Sequence, residues 1–121
     1  EAQQLVDQRE IERAAPLLEA ILAENPGHLA ALEKLGLIHV MRQEWAAAIE
    51  VFERRHVQAD GSTSTLVNLA LALEHSGRLE AARATLGRAL QLDPGEPTAR
   101  LNLERVRALL GLPAAPGAGE R

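Results

Sequence analysis

The feature that most constrains the fold is a period of 34 residues. Three turn-like tetrapeptides, ENPG, QADG and LDPG, end at Gly27, Gly61 and Gly95. Small and apolar positions repeat at the same spacing, in the sets Ile11/Trp45/Leu79, Ala14/Ala48/Ala82, Leu18/Phe52/Leu86 and Leu35/Leu69/Leu103. Because several registers agree over three copies, the sequence predicts a stack of similar units, each too small to bury its apolar face alone.

Each copy carries two helical faces separated by a short turn. Apolar and small residues at i, i+3, i+4 and i+7 mark these faces in the second copy: Leu32, Leu35, Gly36 and His39, then Trp45, Ala48, Ile49 and Phe52. We place the short turns at residues 8–10, 42–44 and 75–77. Asp or Asn, Pro and Gly end the second helix, since Pro cannot continue a helix and Gly accepts a left-handed cap.

This pattern resembles the tetratricopeptide repeat, whose consensus is W-x2-L-G-x2-Y, then A-x3-F, then P. The matching residues are Leu32, Leu35, Gly36, His39, Ala48 and Phe52 in the second copy, Leu66, Leu69, Ala70, Leu73, Ala82, Leu86 and Pro94 in the third, and Ala14, Leu18 and Pro26 in the first. Two positions depart from the pattern: Asp60 replaces the closing Pro, and Arg55 stands where a small residue is usual. The resemblance covers residues 1 to about 110.

The resemblance implies an all-α fold, an α-solenoid of antiparallel helix pairs with about three repeats and a C-terminal capping helix. We expect a partial first repeat (1–28, with the end of its first helix), full repeats (29–62 and 63–96), a capping helix (97–110) and a disordered tail (111–121). Arg100, Glu104 and Arg107 occupy positions that are apolar or small in earlier copies, as a solvent-facing cap requires.

Residue size gives the spacing a packing cause. Gly36 and Ala48 are small enough to let two helices approach closely, and Phe52 then fills the layer beside them. Pro16 lies inside the second helix of the first copy. It lacks an N–H, so we expect a kink or a lost hydrogen bond there without a break in the helix.

Composition argues against several functional classes. The net charge of −4 and the near absence of aromatic residues disfavour nucleic-acid binding, and no apolar run approaches the length of a membrane span. The chain has no Cys, its four His are too far apart for a helical metal-binding pair, and no catalytic motif is present. We therefore expect a non-enzymatic protein without a cofactor or metal. His39 and His75 are interpreted as structural residues, at a family Tyr position and a helix end respectively.

In tetratricopeptide proteins the first helices of the repeats line a concave face that binds an extended peptide or a partner's helix. By this resemblance, a peptide or protein partner would contact Glu33, Lys34, Leu37, Val40, Met41, Val67, Asn68, Leu71, Glu74, Asn102 and Arg105. The family often uses Asn at the position of Asn68 and Asn102 to bond the main chain of the peptide. The family's carboxylate clamp for chaperone tails is not reproduced, because Glu33 and Leu37 replace its Lys and Asn.

Two other functions remain open from the sequence. One is self-assembly into a homo-oligomer. Six acidic and two basic residues give −4 over residues 1–28, while four basic and two acidic residues give +2 over residues 97–121. Such a difference favours head-to-tail contact. The other is a regulatory or targeting domain of a larger enzyme or assembly protein. The excess of Arg over Lys, 12 to 1, suggests a GC-rich coding bias and a bacterial source.

Overall fold

A computed structural model describes the backbone of residues 2–58 and 63–113, and the side chains of residues 9–55 and 63–113. Over these residues the fold is all-α, without a strand, which confirms the predicted fold class. The helices are α1 (Ala2–Glu24), α2 (Leu29–Met41), α3 (Trp45–Gln58), α4 (Thr63–His75), α5 (Leu79–Leu92) and α6 (Pro97–Leu109). They form two compact units, unit 1 (Glu1–Ala59) and unit 2 (Asp60–Arg121).

In unit 1, α2 packs against both α1 and α3. Adjacent residues of α2 point to different sides, so that the helix contributes buried side chains to both contacts. The core of this unit contains Ala15, Leu18, Leu22, Ala31, Leu32, Leu35, Ile38 and Val51. Ile11 and Ala14 of α1 pack at its margin and are only half-buried. The exposed edge of the core therefore lies along α1.

In unit 1, α2 and α3 approach closely at Gly36 and Phe52. Gly36 and Ala48 are buried, and the ring of Phe52 is fully covered. A Cβ atom added to Gly36 would lie only 2.7 Å from Cζ and 2.8 Å from Cδ1 of Phe52. The predicted need for a small residue at this position is therefore confirmed, and its direct cause is the Phe52 ring.

The predicted turn at residues 8–10 is wrong, because α1 runs without interruption from Ala2 to Glu24. The corresponding turns after α2 and α4 each contain a residue with positive φ, and the first copy has Arg9 at that position. Arg favours a helix, and its Cβ atom disfavours the positive φ that ends the helix at the other two positions. The helix also continues through Pro16, as expected.

In unit 2, α4 packs against α5, α5 packs against α6, and α4 also contacts α6. Leu66, Ala82, Leu86, Ala99 and Val106 are fully or almost fully buried. Pro97 stands in the first turn of α6, where its missing N–H costs no hydrogen bond, and the Glu96 side chain accepts from the Thr98 N–H at 2.9 Å. The helix α6 therefore begins at Pro97.

The helices α2, α4 and α6 end in the same way, at positions 34 residues apart. Gln43, Gly77 and Gly111 have φ of 61°, 86° and 75°. In each case the next N–H bonds back to a carbonyl five residues earlier, from Glu44, Arg78 and Leu112 to His39, Leu73 and Arg107, all at 2.8 Å. Gly111 and Leu112 therefore belong to a helix cap, although the sequence placed them in the tail.

Two sequence predictions fall on residues outside the described part of the chain. One is the QADG turn with Asp60, which involves residues 59–62. The other is the disordered tail, of which residues 114–121 are not described.

Candidate functional site

An apolar pocket opens between α1 and α2 in unit 1, with a volume of about 500 Å³. It contains three of the residues that the sequence assigned to partner binding. Its lining residues are Glu10, Ile11, Ala14, Leu17, Leu18, Lys34, Leu37, Ile38 and Met41. Only Glu10 and Lys34 are charged, so the floor of the pocket offers apolar contact and almost no hydrogen-bonding groups.

Leu17 and Leu18 line the pocket from α1, and they belong to two adjacent apolar pairs whose members are four residues apart. Leu18 and Leu22 point into the core and are buried, whereas Leu17 and Ile21 stay 66 % and 40 % exposed. A helix with leucine or isoleucine on two adjoining faces has more apolar surface than one neighbour covers. This run of residues was the available signal for the α1 wall, which the sequence analysis missed.

The α2 wall is formed by Lys34, Leu37 and Met41, which are three and four residues apart and share one helical face. Leu35 enters the core on the other side, and the buried Ile38 belongs both to the core and to the pocket lining. Met41 is 60 % exposed. The structure therefore brings Lys34, Leu37 and Met41 together and places them beside α1.

Two other predicted residues of α2 are not part of the pocket. Val40 is half-buried and does not line it. Glu33 faces α3, where its Oε1 lies 3.1 Å from Nε of Arg55. Although the charges are paired, Nε and Nη1 of Arg55 have no well-aligned hydrogen-bond acceptor within the described part of the chain. The unusual Arg at position 55 thus has a local electrostatic partner in Glu33.

In unit 2 the predicted site residues include a polar cluster between α4 and α6. Arg105 donates from Nε and Nη2 to the two carboxylate oxygens of Glu74, at 2.8 and 2.7 Å. A third bond runs from Nη1 of Arg105 to Oδ1 of Asn102, at 3.1 Å. The structure brings Glu74, Asn102 and Arg105 together, and part of the hydrogen-bonding capacity assigned to a peptide is already used inside the fold.

The charge state of this cluster follows from the same contacts. Hydrogen bonds from Arg105 lower the pKa of Glu74 below its ordinary value of 4.5, against partial burial, which raises it. The positive charge of Arg105, and more weakly that of His75, adds to the lowering. The paired carboxylate in turn raises the pKa of Arg105. Glu74 is therefore an ionised anchor that links α4 to α6.

The remaining predicted residues lie on α4. Val67, Asn68 and Leu71 are half-buried, and Asn68 already interacts with another group of the protein. Leu101, one period after Val67, is 70 % exposed on α6. The sequence analysis did not select Leu101, although its spacing from Val67 was a usable signal.

The described histidines have structural contacts. Nδ1 of His28 accepts from the Ala31 N–H at 3.1 Å at the start of α2, and Nδ1 of His39 lies 2.7 Å from Oε1 of Glu44 across the following turn. His75 ends α4. No cluster of three His, Cys, Asp or Glu residues able to hold a metal occurs among the residues that the structure describes. Within the same residues, no helix is both long and apolar enough to span a membrane.

Comparison with known families gives two matches, both described as tetratricopeptide repeat, over residues 1–62 and 63–106. No curated protein matches the chain significantly.

Solved structures show the same fold at low sequence identity. A crystal structure of MamA matches 89 % of this chain and 63 % of its own, with a TM-score of 0.82 and 22 % identity. MamA from Desulfovibrio magneticus RS-1, residues 41 to the end, matches 88 % of this chain and 60 % of its own (TM-score 0.81, 21 % identity). The chain thus spans less than two thirds of the MamA chains. The first repeat domain of Spaghetti (RPAP3), bound to the HSP90 peptide SRMEEVD, matches 90 % of this chain and 86 % of its own (TM-score 0.81, 16 % identity).

Proposed function

Because the chain belongs to the tetratricopeptide-repeat family, we propose that it is a non-enzymatic module that binds a peptide or a segment of a partner protein. The binding surface is formed by residues along the first helix of each repeat. In unit 1 it comprises Glu33, Lys34, Leu37, Val40 and Met41 of α2. In unit 2 it comprises Val67, Asn68, Leu71 and Glu74 of α4 and Asn102 and Arg105 of α6.

The observation that carries this proposal is the position of large apolar side chains that are exposed to solvent. Leu37 and Met41 are exposed on α2, and Leu101 and Leu109 are exposed on α6. Met41 and Leu109 are two periods apart, and Leu101 is one period after Val67. The exposure of Met41 and Leu109 at equivalent positions favours an interaction surface, since isolated exposed residues need no explanation.

The kind of peptide follows from the residues present. A neighbouring fold, the first repeat domain of Spaghetti, holds an acidic HSP90 peptide. In this chain Leu37 offers no charge, Glu33 is acidic, and Arg105 is already paired with Glu74. We therefore expect a segment with apolar side chains and disfavour an acidic chaperone tail.

A random peptide library panned on the purified chain tests this function. Selected peptides are then measured by fluorescence anisotropy against wild type, Asn68→Ala and Leu71→Glu, with circular dichroism confirming that each variant is folded. For selected peptides that bind the surface of α4 and α6, we expect Leu71→Glu to abolish binding, because the new glutamate places an unpaired charge against apolar side chains. Loss of the Asn68 amide weakens binding by about 1–3 kcal/mol. Peptides that bind both variants as well as wild type would contradict the proposal for this surface.

A second candidate function is self-assembly, which the exposed apolar surface and the opposite charges of residues 1–28 and 97–121 favour. A concentration series by static light scattering separates the two functions. A mass that stays at 13.0 kDa over the series excludes self-assembly, whereas a rising mass that returns to 13.0 kDa in Leu71→Glu assigns the surface to a second copy.

A further inference from the structure

Glu74 and Arg105 interrupt the apolar repeat at two positions, and they meet each other in the structure. The residues one and two periods before Arg105 are Leu71 and Leu37, and the residue one period before Glu74 is Val40. Each charge therefore stands where an earlier copy has an apolar residue. The two charges compensate each other, because Arg105 donates to both carboxylate oxygens of Glu74.

This pair uses the edge of the guanidinium group with which arginine binds carboxylates most strongly. Nε and Nη2 of Arg105 lie 2.8 and 2.7 Å from the two oxygens of Glu74, and the same bidentate geometry serves for the carboxylate of a ligand. Nη1 donates to Oδ1 of Asn102 at 3.1 Å, which fixes the guanidinium group from its other side. Glu74 therefore occupies the place that the carboxylate of a ligand would need.

Arg105 is nevertheless accessible at the surface of unit 2. Its side chain is 46 % exposed, whereas that of Glu74 is 11 % exposed. Leu101 and Leu109 lie four residues before and four residues after Arg105 on α6, so the three side chains share one face of the helix. Both leucines are more than half exposed. A peptide that contacts both of them would therefore also cover Arg105.

We propose that Glu74 determines ligand specificity by blocking a latent carboxylate-binding site at Arg105, so that loss of its charge turns this surface into one that binds acidic peptides. The inference deepens the proposed function, on which it rests, by naming the residue that excludes acidic ligands. Glu74 belongs to the same chain and stays beside Arg105, so a carboxylate from solution competes at a disadvantage. Such a carboxylate would also be repelled by the negative charge of Glu74.

A purely structural ion pair would behave differently. If the pair only joins α4 to α6, loss of the Glu74 charge lowers stability and leaves the ligand preference unchanged. If Glu74 also blocks Arg105, the same change frees the guanidinium group, and a peptide with a carboxylate gains charge-assisted hydrogen bonds. The ligand preference therefore separates the two roles, whereas a melting temperature does not.

The test pans one random peptide library in parallel on the full chain as wild type, Glu74→Gln and Glu80→Gln. Glu74→Gln keeps the size of the side chain and removes its charge. Glu80→Gln is the matched control, because it changes the net charge equally and also releases an arginine of unit 2: Oε1 of Glu80 lies 3.0 Å from Nη2 of Arg83. Circular dichroism confirms folding, and Glu74→Val, which copies Val40, serves as a second variant.

The affinities of the selected peptides are then compared in matched pairs. Each acidic peptide is synthesised together with a counterpart that carries the amide, Gln or Asn, in place of its acidic residue. Fluorescence anisotropy measures the binding of both peptides to all the protein variants.

We expect Glu74→Gln to select peptides with an acidic residue, and wild type and Glu80→Gln to select peptides without one. An acidic peptide from this selection should bind Glu74→Gln at least about tenfold more tightly than it binds wild type, and its amide counterpart should lose that gain. Adding Arg105→Leu to Glu74→Gln should also remove the gain, because the carboxylate then has no guanidinium group to bind.

Equal affinity of wild type and Glu74→Gln for the acidic peptides would overturn the proposal. A gain of the same size in Glu80→Gln, or a gain that persists without Arg105, would also overturn it, because either result indicates a general effect of charge. Peptides selected on wild type, without an acidic preference in Glu74→Gln, would leave the proposed function standing and reject this role of Glu74. Acidic peptides selected on Glu74→Gln alone would support the role of Glu74 and reject the proposed function. Absence of peptides on every variant would reject both.

Discussion

Units 1 and 2 use one repeating pattern, yet they differ at three places. The position that faces the second helix holds Gly36 beside Phe52 in unit 1 and Ala70 with Leu86 in unit 2. Leu37 of unit 1 is replaced by Arg105, which binds Glu74. Beside the first two helices of unit 1 lies the apolar pocket, whereas in unit 2 α4 packs against both α5 and α6. The repeat therefore places helices at equivalent positions in both units, while the neighbours of each helix determine which of its side chains are exposed to solvent.

The first of these differences predicts the largest change in stability. Phe52→Ala removes the ring that fills the space beside Gly36, so that unfolding becomes easier by about 3–5 kcal/mol. Leu86→Ala, the equivalent change in unit 2, should cost about 2–5 kcal/mol. Urea unfolding followed by circular dichroism measures both. A shift of less than about 1 kcal/mol for Phe52→Ala would mean that Phe52 contributes little to the core.

A swap between the two packing solutions sharpens the comparison. Gly36→Ala places a methyl group against the Phe52 ring and should destabilise by about 1–3 kcal/mol. Combined with Phe52→Leu it recreates the Ala and Leu pair of unit 2. The double variant should then be less destabilised than the sum of the single variants, by about 0.5–3 kcal/mol. Strict additivity would show that Gly36 and Phe52 do not constrain each other.

Substitutions in the helix caps should change stability less, and in opposite directions in the two units. Gln43 and Gly77 occupy equivalent positions with positive φ, a conformation that disfavours residues with a Cβ atom. Gln43→Gly should therefore stabilise unit 1 by up to about 1 kcal/mol, and Gly77→Ala should destabilise unit 2 by about 1–2 kcal/mol. Thermal unfolding measures both changes. If the two substitutions shift stability in the same direction, backbone strain is not what distinguishes the two caps.

The smallest effect concerns the ion pair between Glu74 and Arg105 in unit 2. Because the folded state lowers the pKa of Glu74, the pair contributes stability above the ordinary pKa of 4.5, and this is lost as pH falls through the lower folded value. Arg105 is about half exposed, so the contribution is only about 0.5–1 kcal/mol. Arg105→Leu, which copies Leu37, should reduce stability near pH 7 and reduce its loss between pH 5 and 3. An unchanged acid profile would exclude this role of the pair.

The 34-residue period made much of the fold predictable. The positions of glycine and proline predicted most of the turns. The spacing of apolar and small residues placed Phe52, Ala48 and Gly36 in the core. Local sequence did not predict the single helix through residues 8–10, because a turn there depends on a neighbouring helix to pack against. The pairing of Glu33 with Arg55 was missed because it joins two helices whose relative rotation the period does not specify.

The candidate site was predicted only in its α2 half. Lys34, Leu37 and Met41 were identified by resemblance, but the α1 wall was missed because the predicted turn at residues 8–10 obscured the long second face of that helix. Once α1 is continuous, Leu17 and Ile21 form an exposed stripe beside the core residues Leu18 and Leu22.

Met41 is the only methionine of the chain and lies in the pocket, which makes one measurement decisive. With a ¹³C label on its methyl group, a single resonance reports on the α2 surface during titration with a peptide selected from the library. The account predicts a saturable change in that resonance, which Leu37→Glu abolishes and Leu92→Glu, a change on the exposed side of α5, leaves intact. Bound peptide with an unchanged Met41 resonance would place the ligand elsewhere and contradict the assignment of α2 to the binding surface.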